Sequence, residues 1–309
     1  MSDLKLFRIG DGVAKEVAAA PFDLEVRLQR LVEENMEALF GVRFLKTEHS
    51  TGATHRGRID SLGLDENSSP VIFEYKRGKS DNVMNQGLFY LDWLMDHRAE
   101  FQLLVLEKFG PEEAKRLDWR NPRLICVAND FTNYDEHAVQ QMRRSIELVR
   151  YRDFNGELLA LELVKKTSNE AADEIDPGAP ATPSGGAPGS SSKSVSEYLA
   201  QSDQSLRDLY AEVEVYCESL GEDVTKKVGK TYFAFRRLKN FACVEVHPQT
   251  RNLLIYLKIH PDKVVVEEGF TRDVRSIGHF GTGDLEVRIK SAEDLLRAQP
   301  LIQQSYDES

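Results

Sequence analysis

The chain has only three cysteines, Cys126, Cys217 and Cys243, in 309 residues. So few, odd in number and far apart, they form neither a disulfide framework nor a metal-ligand pair. The seven histidines are equally scattered, and none stands at ligand spacing from another. No run of about 18 apolar residues occurs, so no membrane span is expected. The opening "MSDLKLFRIGDG" lacks the long apolar core of a signal peptide. These absences point to a reduced, cytoplasmic compartment. Positive charge is also in deficit, with a net charge of −11. That argues against a protein that coats nucleic acid. A local basic groove stays compatible, because steering depends on where charge sits.

What is present suits two ordinary domains. A compositional break, "TSNEAADEIDPGAPATPSGGAPGSSSK" (167–193), is rich in Pro, Gly, Ala and Ser and has nothing to bury. It reads as a flexible linker. It separates an N-terminal domain at 1–166 from a C-terminal domain at 194–309.

In the first domain Lys5–Ile9 reads as a short strand. A helix follows over about 23–40, with Leu24, Leu28, Leu31, Val32 and Leu39 at helical spacing. "GVRFLKTEHS", "GRIDSLGL" and "PVIFEYKR" read as strands, the last two joined by the turn "DENSS". A second helix is expected over about 82–97. "AEFQLLVLEKFG" (99–110) and "PRLICVAND" read as strands with a short helical segment at 111–117 between them. "DEHAVQQMRRS" reads as helix, and "IELVRYRDF" and "ELLALELVKK" as closing strands. Strands interleaved with helices predict an α/β fold with a mixed sheet flanked by helices. The second domain reads as a small α+β unit: a helix over about 196–220, strands in "KTYFAFRR", "FACVEVH", "LLIYLKIH" and "DLEVRIK", and a helix over about 292–303.

The string "GRIDSLGLDENSSPVIFEYKRG" (57–78) places three charges where burial is costly. Side chains alternate along a strand. Glu74 and Lys76 therefore share one face of "VIFEYK" with Ile72, while Val71, Phe73 and Tyr75 share the other. An antiparallel hairpin of 58–62 with 71–76 brings Asp60 beside Glu74. Two adjacent carboxylates repel unless a cation lies between them. Asp60, Glu74 and the Tyr75 carbonyl form an incomplete hard-metal set suited to Mg²⁺ or Mn²⁺. A water oriented by Lys76 is then placed to attack phosphorus. On the second helix Gln86 and Tyr90 share a face that Trp93 and His97 continue. Met84, Leu88, Leu91 and Met95 form the apolar face. On the first helix Glu25 is the favoured supporting acid and Glu34 the second choice, with Glu33 read as facing solvent. Each feature alone has a bland reading: a surface ion pair, a turn acid, a dipole complement in a first helical turn. The joint pattern favours chemistry.

At these residues the chain resembles the PD-(D/E)XK nuclease superfamily. An acid on one strand, Asp60, precedes Glu-x-Lys on the next, here "EYK". The longer string "GRIDSLG…VIFEYKRG…NQGLFYLDWL" is similar to the nuclease domain of archaeal and actinobacterial mismatch and branched-DNA endonucleases. The resemblance spans roughly residues 20–130. It implies a restriction-endonuclease-like fold and a metal-dependent endonuclease acting on DNA in repair, restriction or defence. It also implies a first-helix glutamate, matched to Glu25, and a helix glutamine, matched to Gln86. Tyr90, Arg58 and Arg77 are the expected nucleic-acid contacts around this site. Those endonucleases carry their DNA-binding domain before the nuclease domain, whereas here the second domain follows it. Dimerisation and specificity are therefore not carried over, and a homodimer is one open assembly.

The C-terminal half resembles a family of unknown function tagged "predicted transport protein", a tag at odds with the missing membrane span. "KKVGKTYFAFRRLKNF" gathers Lys230, Arg236 and Arg237 with other bases around Tyr232, Phe233 and Phe235. Such alternation can track a phosphate backbone and stack bases. It reads slightly better as a solvated edge over a core of Phe233 and Phe235. "GHFGTGD" (278–284) is a glycine-rich turn that also suits a phosphate, with His279 and Asp284 beside it. Two rival readings stand beside the enzyme: a non-catalytic nucleic-acid-binding or regulatory protein on a nuclease fold, and a small-molecule or transport-associated module in the second domain.

Overall fold

A computed structural model of the chain describes residues 4–52, 57–79, 83–167 and 194–309. The chain divides into two units, Met1–Ala172 and Asp173–Ser309. Of the linker read at 167–193, only Thr167 is described, and it ends a strand; the rest lies outside the described residues.

The first unit opens with a hairpin, β1 (Leu6–Gly10) and β2 (Val13–Val17). Its turn, Asp11–Gly12, has both residues at positive φ, 50° and 75°, as two-residue hairpins of primed type require. The Asp-Gly pair announced this turn, yet β2 was not expected. Helix α1 (Glu25–Phe40) buries Leu28, Val32, Met36 and Phe40 at a spacing of four. It stops at Gly41, whose φ of 62° is left-handed and whose N–H caps the helix. Strands β3 (Val42–Ser50), β4 (Arg58–Asp65) and β5 (Pro70–Lys79) follow. Then come α2 (Val83–Asp96), α3 (Arg98–Phe109), α4 (Pro111–Arg116), β6 (Arg123–Asp130), α5 (Asn133–Gln140), β7 (Ser145–Phe154) and β8 (Leu158–Thr167). The strands form one six-stranded sheet in the order β3-β4-β5-β6-β7-β8. β5, β6 and β7 run parallel to one another, and the outer pairs are antiparallel. This is the mixed α/β sheet the interleaved pattern predicts.

One element differs in kind. Residues 99–110, expected as a strand, form α3. Phe101 and Val105, four apart, are fully buried, whereas Leu103 and Leu106 are exposed. The burial period is helical, and a dense apolar run hides that distinction.

The turn between β4 and β5 is tied at one end of the sheet. Asp65 accepts from the N–H groups of Asn67 at 2.9 Å and Ser69 at 2.8 Å. Its other oxygen meets Arg123 Nη1 at 3.3 Å. Arg123 also forks onto Glu147 at 2.9 and 3.0 Å. All three side chains are at most 2% exposed. This triad links β4, β6 and β7.

The second unit opens with α6 (Val195–Gln201) and α7 (Gln204–Ser219), where a single helix was expected. Ser202 turns extended, and Asp203 caps α7 through the Leu206 N–H at 2.9 Å. An Asp at the N-cap outcompetes helix continuation. Strands β9 (Thr225–Val228), β10 (Phe233–Arg236), β11 (Asn240–His247), β12 (Asn252–Leu257), β13 (Thr271–Asp273) and β14 (Leu285–Ile289) precede α8 (Ala292–Asp307). Their sheet is antiparallel throughout, in the order β13-β14-β12-β11-β10-β9. The short strands β9 and β13 were not expected. Leu206, Val213, Phe233, Phe235, Ile255 and Ile302 share the core between helices and sheet.

Replacing Arg123 with Met would leave Asp65 and Glu147 buried without their counter-charge. Such a loss costs about 3–5 kcal/mol. Urea unfolding of Arg123→Met is expected to show a loss of that order, and a change below about 1 kcal/mol would contradict the triad's role.

Candidate active site

The site forms where the β4–β5 ladder changes character. Main-chain pairing runs from Leu64↔Pro70 to Ser61↔Phe73. The next step sets Asp60 against Glu74, and there side chains replace main-chain partners. The Asp60 N–H donates to Glu74 Oε1 at 3.4 Å, and the Tyr75 N–H donates to Asp60 Oδ2 at 3.0 Å. The two carboxylates are thus brought together by the hairpin register.

Glu74 is fully buried, and its Oε2 is a buried atom with no hydrogen-bond partner. Burial, followed by the neighbouring Asp60 charge, pushes its carboxyl up to about 9. Burial also raises Asp60, to about 6, against the opposing pull of the Tyr75 N–H and Lys76. Desolvation therefore wins over the local donors at both groups. Tyr75 is itself fully buried, its ring stacked on Phe73 at 6.1 Å.

The fourth member of the constellation comes from α1. Glu25 receives Lys76 Nζ at 3.2 Å and the Arg77 N–H at 3.1 Å. Arg77 is exposed and also reaches the Asp23 carbonyl at 2.8 Å. Glu34 is exposed and takes no part. Glu33, expected at the surface, instead turns inward and receives Ser61 Oγ at 2.6 Å. The correction follows from helix geometry: Glu25, Gln29 and Glu33 repeat every four residues and form one stripe.

On α2, Gln86 and Tyr90 do meet, with Gln86 Nε2 donating to the Tyr90 hydroxyl at 3.3 Å. That hydroxyl also accepts from the Arg58 N–H at 3.1 Å. Tyr90 is only 5% exposed, so it holds the start of β4 and does not present itself to a nucleic acid. Gly57 is required there, since a Cβ would lie 2.5 Å from the Tyr90 ring. Trp93 is likewise core, stacked on His97 at 4.8 Å, and does not continue a polar face. Arg58 is exposed and pairs with Glu48.

Two participants were missed in the sequence. Gln29 donates to the Asp60 carbonyl at 2.9 Å. Glu48 stands on β3 with a left-handed φ of 51°. The spacing of four from Glu25 was a usable signal for Gln29. No local signal marks Glu48.

Among the described residues no group of three or more His, Cys, Asp or Glu side chains is arranged to hold a metal ion. The donors on offer are the two carboxylates and the Tyr75 carbonyl. All are hard oxygens, and one carboxylate oxygen is buried and unpartnered, which suits a hard divalent cation.

In the second unit two bases of the basic string, Arg236 and Arg237, have internal partners. Arg236 is 5% exposed and donates to the Leu238 carbonyl at 2.9 Å. Arg237 pairs with Asp223 at 2.7 Å and lies over the Tyr306 ring. Lys230 is exposed. The expected nucleic-acid contact Arg236 is therefore corrected to a structural one, while Arg237 keeps 35% of its side chain exposed beside its ion pair. The glycine-rich loop is a packing device. A Cβ at Gly281 would lie 2.7 Å from Cys243, and one at Gly283 2.6 Å from the Leu257 backbone. His279 stacks on Tyr256 at 4.5 Å, and Asp284 is exposed.

Residues 195–309 match a family model described as a domain of unknown function, DUF5655. Along nearly its whole length the chain is similar to an uncharacterized protein of Haemophilus influenzae. The two are 27% identical over 318 residues, covering 98% of this chain and 99% of that one. Among solved structures it is similar to a repair endonuclease from Pyrococcus abyssi, with 21% identity, a TM-score of 0.29, and coverage of 43% of this chain and 49% of that one. It is also similar to EndoMS in a complex with dsDNA, with 20% identity, a TM-score of 0.28, and coverage of 44% and 47%. The chain thus spans about half the length of these solved structures. Among the described residues no helix is long and apolar enough to cross a membrane.

The raised carboxyls carry a pH signature. Folded Glu74 keeps its proton up to about pH 9, whereas the unfolded chain releases it near 4.5. Asp60 behaves likewise between 3.8 and about 6. Their contribution to stability is full below those lower values and is lost as pH rises through the window. In chelator, wild-type stability relative to Glu74→Gln should fall with rising pH, by up to about 1.4 kcal/mol per unit. A flat difference from pH 5 to about 9, measured by denaturant unfolding, would refute the assignment.

Proposed function

We propose that the first unit is an endonuclease dependent on Mg²⁺ or Mn²⁺ that hydrolyses phosphodiester bonds. The observation that carries this reading is the fully buried Glu74, with its unpartnered oxygen, set against the half-buried Asp60 and beside Lys76. A pair that desolvation drives toward neutrality is costly as pure structure. It becomes useful where a cation is to be held.

Asp60, Glu74 and the Tyr75 carbonyl would hold the ion. When bound, such an ion supplies Lewis-acid stabilisation of charge growing on phosphate oxygens. The remaining work belongs to the chain. Lys76 orients the attacking water, and Glu25 fixes the direction of its ammonium through the 3.2 Å contact. The same carboxylate takes the Arg77 N–H, which ties the end of β5 to the start of α1. Gln86 and Tyr90 hold the entry of β4, from which Asp60 projects. Arg58 and Arg77, both exposed, are the side chains placed to meet a phosphate backbone. DNA is the proposed substrate because the long motif string resembles mismatch and branched-DNA endonucleases. The second unit is assigned to substrate or partner recognition, through surface other than the buried Arg236.

Cleavage of linear, mismatched, branched and single-stranded DNA, with and without Mg²⁺ or Mn²⁺, tests the reading. Asp60→Asn and Lys76→Ala are each expected to lower the rate by about 10²-fold or more while the chain stays folded. A wild-type protein that cuts no nucleic acid with either ion, or variants that cut as well as it does, would sink the proposal.

A further inference from the structure

Asp60 stands between two irregularities of its sheet. Toward β3 it lies opposite Glu48, since the flanking pairs are Thr47↔Ser61 and His49↔Ile59. Glu48 holds φ at 51°, a region that L-residues other than Asn and Asp seldom enter. Toward β5 the main-chain ladder ends at Ser61↔Phe73, and side-chain bonds take over. The Tyr75 N–H holds the Asp60 carboxylate, and the Asp60 carbonyl is the group that a further contact can fix.

Gln29 meets this point. It is 7% exposed, and its Nε2 faces oxygens from three elements. They are the Asp60 carbonyl at 2.9 Å, Thr47 Oγ1 at 3.2 Å, Glu48 Oε1 at 3.3 Å and Glu33 Oε1 at 3.1 Å. One amide group thus faces acceptors on α1, β3 and β4 beside the left-handed Glu48. The choice of donor matters. A Lys or Arg in this place would bind the same oxygens but set a fixed positive charge near Asp60 and Glu74. It would then compete with a divalent ion for their field. A neutral amide gives the hydrogen bonds without that competition.

We propose that Gln29 is a positioning residue for the cleavage reaction. It acts through the main chain of Asp60 and the carboxylate of Glu48 to set where the Asp60 carboxylate stands. The inference rests on the nuclease reading above.

The test uses the full chain and three variants. Gln29→Met keeps length and loses the donors. Gln29→Asn keeps the donors but shortens their reach. Thr47→Val removes an acceptor of Gln29 that does not touch Asp60. Mn²⁺ affinity is measured by electron paramagnetic resonance, and steady-state cleavage is measured on duplex DNA. Gln29→Met is expected to lower kcat by about 10- to 100-fold with KM for DNA within about threefold, and to weaken Mn²⁺ binding. Gln29→Asn should fall between it and the wild type, and Thr47→Val should stay within about twofold of the wild type in kcat. A folded Gln29→Met protein that cuts and binds Mn²⁺ like the wild type overturns the proposal. If Gln29→Met fails to fold, a Gln29→Asn protein with wild-type kcat and Mn²⁺ affinity overturns it. A wild-type chain that binds Mn²⁺ without cutting removes the nuclease reading and the role of Gln29 in cleavage, and the Mn²⁺ comparison then decides whether Gln29 positions Asp60 toward an ion. A wild type that does neither overturns both.

Discussion

Two carboxylates, taken out of water and set side by side, are the constraint around which the first unit is arranged. Asp60 and Glu74 are each raised by burial, and Glu74 further by its neighbour. Protonation of Glu74, which keeps its proton up to about pH 9, relieves the repulsion. The surrounding elements tie the two strands together. The Tyr75 N–H grips Asp60 on one side, and Gln29 grips its carbonyl on the other. At the far end of the same hairpin, the Arg123 triad pins the turn through Asp65. The hairpin is therefore held at both ends by polar groups and along its length by apolar burial of Ile72, Phe73 and Leu64.

Helix α1 is the element that joins these contacts. Its apolar face, Leu28, Val32, Met36 and Phe40, packs into the unit. Beside it runs the polar stripe Glu25, Gln29 and Glu33, which meets Lys76, Asp60 and Ser61 in turn. One helix thus contacts both strands of the site, four residues at a time, because that is the spacing its geometry imposes. In the second unit the charged residues are spent differently. Arg272 and Tyr256 converge on Glu286, which is 2% exposed. Arg237 and Lys226 are matched by Asp223 and Glu214. Three bases of the stripe in the sequence, Lys226, Arg236 and Arg237, here have internal partners, while Lys230 stays exposed.

Much of this was legible in order. The β4–β5 hairpin, the parity of Glu74 and Lys76, and the approach of Asp60 follow from a period of two and a turn of polar residues. Glu25 was legible because it extends an apolar helical stripe. Other features were not. Residues 103–106 are apolar at every position, so strand and helix are not distinguished until burial separates Phe101 and Val105 from Leu103 and Leu106. Glu33 and Glu34 are adjacent in sequence, and only the helix phase against β4 decides which turns inward. Tyr90 looked like a contact residue because it shares a helix face with Gln86, yet the backbone of β4 claims its hydroxyl.

The sequence by itself determined the local grammar of this protein: which segments alternate, where chains must turn, and which acids and bases fall on a common face. Those follow from bond geometry and from the separation of apolar and polar side chains within a few residues. Tertiary structure alone decided what each charged group meets. It matched Arg236 and Arg237 to internal partners, set Glu48 in a left-handed conformation beside Asp60, and placed Gln29 across three elements. Partners distant in sequence are chosen by packing, and burial sets the strength of each charge, so neither could be read from neighbours along the chain.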